Sequence, residues 1–271
     1  MFRIEERDIR FNVFEYLNLD EILKLPIYAE MDKETVEMLL SNAIKVAKEV
    51  IAPINQPGDK EGCHIDKNGN VTVPKGYKEA FKSYCEDGWL GISSPAEVGG
   101  TGAPLLAGIA ASETSAAAST AFAMYPGLTR SAASLIQDEG SKEQVDLFVE
   151  KMLAGQWGGT MCITESGAGS AVGDIRTMAT QIEGDRFSVK GQKIFISSGD
   201  HDMVENNVHL VLARTPNAPA GIKGLSLFIV PKIRVNADGS LGEPNDVICS
   251  GIEHKMGIKG SATCTMEFGD N

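Results

Sequence analysis

The sequence contains no run of eighteen apolar residues, so it offers no helix able to cross a membrane. Its opening stretch, MFRIEERDIRFNVFEYLNLDEILKL, mixes charges of both signs and lacks a continuous apolar core, and is not expected to be a signal peptide. Cysteine is sparse and odd in number: Cys63, Cys85, Cys162, Cys249 and Cys264 include no pair at CxxC spacing. They read as reduced thiols of a cytoplasmic protein rather than as a disulfide framework. The four histidines lie apart, Cys63-His64 is the one Cys–His adjacency, and no metal site is expected. Basic residues do not cluster. With 37 Asp and Glu against 25 Lys and Arg, the formal net charge is −12, and the acid is spread along the chain. That argues against nucleic acid as a partner. An anionic ligand would have to be held by backbone donors or a few placed side chains, within a Debye length of about 10 Å. Strands and helices do not alternate, so a Rossmann sheet is not expected.

What is present reads as a folded chain, 42% hydrophobic and 23% charged. Asp32 can cap a helix whose apolar positions Val36, Leu39, Leu40, Ala43, Val46 and Val50 recur at helical spacing, with Pro53 as its stop. Tyr77, Phe81 and Tyr84 repeat the pattern over residues 75–86. The alanine-rich LLAGIAASETSAAASTAF predicts a closely packed helix to residue 121, and Thr129 begins another that ends at Gly140. Ser141-Lys-Glu-Gln144 is a capping box for a last helix closed by Gly155. Near residue 156 the period changes. RTMATQI and DRFSVKGQKIFIS flank a hairpin turn at Glu183-Gly184-Asp185, and VHLVLAR, LSLFIVP and TCTMEFG read as further strands. The expected fold is α+β: an N-terminal arm (1–31), an all-helical domain (32–155) and an antiparallel barrel- or sandwich-like β domain (156–271).

Three stretches carry chemistry. CITESGAGSAVG, residues 162–173, leaves a strand with glycines spaced G-x-G-x-x-x-G. The spacing is wrong for a dinucleotide fingerprint, and no Lys-Ser/Thr follows to make a phosphate-binding P-loop. Two readings stay open: a bare turn, or a backbone that a ligand approaches closely, aided by the Thr164 and Ser170 hydroxyls. Glu165 could serve as a base, but nothing nearby in sequence supplies a partner, and hydrogen bonding to backbone is the expectation. In GQKIFISSG, Phe195 and Ser197 share a strand face and could meet a planar ring, or simply pack and be solvated. In EHKMGIKGSATCTMEFG, Lys255 and Lys259 add local positive charge before a strand.

In this order, behind a helical half, Cys162-Ile-Thr-Glu-Ser-Gly-Ala-Gly-Ser170, Gly191-Gln-Lys-Ile-Phe-Ile-Ser197 and His254-Lys-Met-Gly-Ile-Lys-Gly-Ser261 resemble the acyl-CoA dehydrogenase family of flavoproteins. Gly88-Trp-Leu-Gly91 and Val98-Gly-Gly-Thr-Gly102 fit the same family, and the wording is most similar to its branch that includes 3-methylthiopropanoyl-CoA dehydrogenase. The resemblance implies α,β-desaturation of an acyl-CoA thioester with hydride transfer to FAD. It implies an electron-transfer flavoprotein as acceptor and a homo-oligomer when full-length. Carried over, Met161, Ile163, Thr164 and Gly169 would face the flavin, as would Phe195 and Ser197, with Ser170 near pyrophosphate or the CoA substrate. Ser166 stands where the family has proline and Ala171 where it has aspartate, which weakens the usual side-chain contacts of this loop. The resemblance also implies a C-terminal helical bundle, absent from this chain, that carries the catalytic base; no catalytic residue is therefore assigned here. Two alternatives are a non-catalytic subunit completed by a partner chain, and an acyl-CoA hydrolase or lyase with Cys162 as nucleophile.

Overall fold

The computed structural model of the chain describes residues 2–269. Residues of the arm form two short helices, α1 (Glu6–Arg10) and α2 (Leu19–Ile22), joined by a π-helical turn. Ile9, Val13 and Leu19 anchor them in the main core. Helix α3 (Lys33–Val46) starts as expected, with Asp32 Oδ1 accepting the Thr35 amide at 2.7 Å. Val36, Leu40, Ala43 and Ile44 form its buried stripe. Pro53 does not end the helical path. A π-helical turn over Ala47–Ile51 leads into α4 (Ala52–Glu61), and Pro53 falls in the first turn of α4, where a missing N–H costs nothing.

A small hairpin, β1 (His64–Ile65) with β2 (Val71–Thr72), precedes α5 (Tyr77–Glu86), which buries Tyr77, Phe81 and Tyr84. The next helical break falls elsewhere than expected. Helix α6 (Leu105–Ala118) ends at Ser119, whose backbone is extended and whose hydroxyl caps α7 (Thr120–Glu139) by accepting the Phe122 amide at 3.2 Å. Residues 122–128 stay helical through Pro126-Gly127 because Phe122, Tyr125 and Pro126 are buried, and tertiary packing overrides the local breaker. Helix α8 (Lys142–Leu153) carries the expected capping box of Ser141 and Gln144.

The second half is a curled seven-stranded sheet in the order β10-β11-β5-β4-β6-β3, with β7 also on β6. Its strands are β3 (Trp157–Cys162), β4 (Met178–Glu183), β5 (Arg186–Ser197), β6 (Asn206–Arg214), β7 (Leu225–Pro231), β10 (Val247–Ile252) and β11 (Thr263–Phe268). A separate hairpin pairs β8 (Ile233–Val235) with β9 (Leu241–Pro244). The antiparallel expectation holds for β4–β5, β5–β11, β10–β11 and β6–β7. Strand β6 runs parallel to β3 and touches the start of β4 in parallel, because β3 reaches β6 only through the long crossover that contains the β4–β5 hairpin. Strand β10 has no counterpart in the sequence reading.

One core runs from Ile9 through the helices to Phe268, and a second joins α7 and α8 to β3 and β6 around Phe148, Met152 and Trp157. Tyr125 of α7 ties the helices to the loop before β11. Its hydroxyl donates to the Gly260 carbonyl at 2.9 Å and accepts the Ala262 amide at 2.9 Å. Gly260 has to be glycine there, since a Cβ would strike the Tyr77 hydroxyl.

Candidate functional site

Strand β3 ends under the helices, and the glycine-rich stretch leaves its C-terminal edge. Inside the strand, Thr160 Oγ1 lies 2.8 Å from His209 Nδ1 on β6, and Cys162 Sγ lies 3.8 Å from the same nitrogen. All three side chains are buried. Burial pushes the Cys162 thiol up to about 12 and holds His209 down at about 3, so the pair is a neutral thiol beside a neutral imidazole. The reading of Cys162 as a nucleophile fails on that environment: it has neither thiolate character nor access.

Beyond Cys162 the chain is pinned to β5, where the Ile194 amide donates to the Thr164 carbonyl at 2.8 Å. This contact sets Thr164 against Ile194, the residue before Phe195. Thr164, Ile163, Met161 and Ser197 are half-buried, and Phe195 is 57% exposed. Phe195 sits at φ 60°, in the left-handed region that bulky residues avoid. The cause is a β-bulge: β5 slips register against β11 between Cys264 and Met266, which leaves Ile194 and Phe195 facing Thr265. Lys193 and Ile196 point into the interior on either side of it.

Gly169 and Ser170 lie farther out, exposed on the loop. A Cβ built at Gly167 or Gly169 meets nothing within 4 Å, so the space above both is open. Gly169 does not occupy the left-handed region; its smallness and not its φ is what matters. The amides of Ser166, Gly167, Gly169 and Ser170 donate to no other group of the described residues. Arg214, at the end of β6, braces the far side of the loop: Nε donates to the Ile175 carbonyl at 2.9 Å, and one terminal nitrogen to Gly173 and to Gly221.

Glu165 is engaged as the sequence suggested, in hydrogen bonds that include backbone. It accepts the Arg176 amide at 2.7 Å, the Thr177 amide at 3.0 Å and hydroxyl at 2.6 Å, and Lys193 Nζ at 2.9 Å. Burial pushes its carboxyl up, but the Thr177 and Lys193 bonds outweigh that and hold it below its ordinary value. Lys193 and Arg214 escaped the sequence reading. The one available signal was a lysine on the interior-facing phase of an otherwise alternating strand. Lys255 turns inward as a strut, donating to the Ser261 carbonyl at 2.7 Å, and the Lys259 amide bonds to Asp59 at 3.1 Å. Lys255 therefore braces its own loop, and the backbone of Lys259 ties that loop to α4. A cavity of about 850 Å³ between α7–α8 and the β4–β5 hairpin, near Phe148, Phe187, Phe228 and Phe268, contains none of the seven expected site residues. Among the described residues, no cluster of three or more His, Cys, Asp or Glu side chains could hold a metal ion.

The chain matches two family models: the acyl-CoA dehydrogenase N-terminal domain over residues 33–156 and the acyl-CoA dehydrogenase middle domain over residues 160–271. It is 38% identical, over 97% of its length, to the 3-methylmercaptopropionyl-CoA dehydrogenase of Ruegeria pomeroyi. It is 40% identical, over 98% of its length, to a butyryl-CoA dehydrogenase of Syntrophomonas wolfei. The chain spans 44% of each of these two relatives. The structure of butyryl-CoA dehydrogenase from Megasphaera elsdenii superimposes with a TM-score of 0.69 at 23% identity, covering 89% of this chain and 57% of that one, a likeness of fold.

Proposed function

The chain belongs to the acyl-CoA dehydrogenase family, and from that premise we propose that it builds one wall of an FAD site serving the α,β-desaturation of an acyl-CoA thioester. When bound, FAD supplies the acceptor for the hydride that leaves the β-carbon. The observation that carries the reading is the pinned edge at Thr164. A hydroxyl, a run of unbonded amides and open space over two glycines belong to one of the two stretches that the Ile194–Thr164 bond joins, and an exposed aromatic ring to the other. This donor set fits a flavin: neutral hydrogen-bond donors for a polar ring edge, and backbone amides for pyrophosphate in a chain whose net charge would otherwise repel it. Met161, Ile163 and Thr164 would hold the ring edge with Ser197. Phe195 would lie against the ring, and Gly169 would admit the cofactor to the backbone.

Ser170 would lie toward the pyrophosphate or the CoA substrate. No side chain among the described residues is assigned as the α-proton base; in this reading the base comes from sequence outside the chain, and the chain alone is inactive. We read residues 1–31, 32–155 and 156–271 as arm, helical domain and β domain. A cytoplasmic location, a homo-oligomer and an electron-transfer flavoprotein as electron acceptor belong to the same reading. The test is the visible spectrum of the purified full-length protein, titrated with a panel of acyl-CoAs that includes butyryl-CoA and 3-methylthiopropanoyl-CoA. A flavin band that bleaches with one of them is expected. A colourless protein that takes up no added FAD would sink the proposal.

A further inference from the structure

The flavin reading uses Thr164, Phe195 and the glycine-rich loop, and leaves Glu165 and Lys193 without a role. Lys193 has a side chain with 0% exposure, a rare place for lysine. Its Nζ donates to Glu165 Oε1 at 2.9 Å and to the Ile163 carbonyl at 3.0 Å. The next residue on β5, Ile194, donates its amide to the Thr164 carbonyl. Two successive residues of β5 thus grip the two successive carbonyls on either side of the Thr164 α-carbon. Glu165 closes the other side. Its backbone exchanges two bonds with Ala168, at 3.1 and 3.0 Å, while its carboxylate holds the Arg176 and Thr177 amides. The loop 166–175 therefore leaves and returns through a single carboxylate. Apolar residues of similar volume would serve stability as well as a buried ion pair does, so stability alone gives no reason for charges here.

We propose that the Lys193–Glu165 ion pair is a positioning device for the flavin-facing edge, fixing the Thr164 hydroxyl and the mouth of loop 166–175 in the arrangement that receives the ring. The proposal rests on the flavin reading above. It predicts that charge removal will be felt at the cofactor even when the fold survives. The decisive variant replaces both charges together, Lys193→Met with Glu165→Gln, because removing only one leaves an uncompensated buried charge that destabilises the chain regardless of role.

In the full-length protein, the flavin-free double variant should remain folded and melt somewhat below wild type, because the glutamine side chain offers one acceptor oxygen to the Arg176 and Thr177 donors where the carboxylate offered two. Its dissociation constant for FAD should rise at least tenfold, and the absorption maximum of bound flavin should shift. Wild-type affinity with an unshifted spectrum overturns the proposal. Thr177→Val gives a second arm without any change of charge. It removes the hydroxyl that donates to Glu165 at 2.6 Å, so FAD affinity should fall threefold or more and return in Thr177→Ser. Unchanged affinity in Thr177→Val overturns the proposal even if the double variant does not fold. A wild-type protein that binds no FAD overturns the flavin reading and this proposal with it, whereas failure of the variants alone leaves the flavin reading standing.

Discussion

Cys162, His209 and Thr160 have the residue types of a nucleophilic site and the environment of a core. Burial without a charged partner favours the neutral form of each group, and that is why an adjacency of thiol and imidazole carries no reactivity here. The same physics gives a pH dependence. His201 and His209 are both held near 3 by burial, against an ordinary value of 6.5. Between those values the unfolded chain binds protons that the folded chain does not, so stability falls as pH drops below 6.5. At pH 5 the loss is about 2 kcal/mol for each histidine, from ~1.36 kcal/mol per pH interval. Urea midpoints at pH 7 and pH 5 check this, and His209→Gln should remove roughly half of the drop. A midpoint that does not move between the two pH values would show that neither imidazole is buried neutral. Thr164→Ala belongs to the same scale: in the full-length protein it should weaken FAD binding by about 1 kcal/mol, the worth of one hydrogen bond, with no change in melting temperature of the flavin-free form.

At the scale of elements, the bulge on β5 joins structure to the proposed site. It forces Phe195 to φ 60° and turns its ring outward. A non-glycine residue there costs about 1–2 kcal/mol, the kind of strain that persists where a function holds it. Phe195→Gly should therefore leave the flavin-free chain at least as stable in urea while FAD retention falls. A clear loss of stability would mean that the ring packs rather than waits for a ligand. Gly169→Val separates the same two quantities. Its side chain would enter open space and its backbone is not left-handed, so folding should be unaffected and flavin retention lost. The helix starts at Asp32 and Ser141 were legible because capping is local chemistry. The break at Ser119, the passage through Pro126 and the parallel β3–β6 pairing were not, because buried packing and chain crossover decided them. Within the proposed site, Thr164 and Phe195 are candidates that the motif alone supplies. Lys193 was not read, because its place on the interior-facing phase of β5 shows its direction but not that Glu165, distant in sequence, lies there to pair with it.

On the scale of the whole molecule, the change of period near residue 156 marks where helices give way to sheet, yet the packing does not divide there. The main core takes Phe81 and Phe122 from the helices together with Ile196 and Phe268 from the sheet. Tyr125 bonds the two across a sequence separation that no local pattern reveals. The proposed flavin site needs that rigidity, since the helices fix the loop before β11 and β11 in turn fixes the bulged stretch of β5. The chain's two tryptophans report on its two cores, Trp89 in the main core and Trp157 where β3 packs on α8. With Trp89→Phe in one sample and Trp157→Phe in another, the denaturant transition followed by the remaining tryptophan should coincide, within each sample, with the one followed by far-ultraviolet circular dichroism, as expected for one cooperative unit. Adding Tyr125→Phe leaves the Ala262 amide buried without a partner and the Gly260 carbonyl with only the Cys63 thiol at 3.3 Å, and should destabilise by about 1–3 kcal/mol. Both transitions should move together by that amount. A shift seen by only one of the two tryptophans would mean that the two cores loosen independently and that the Tyr125 link does not couple them.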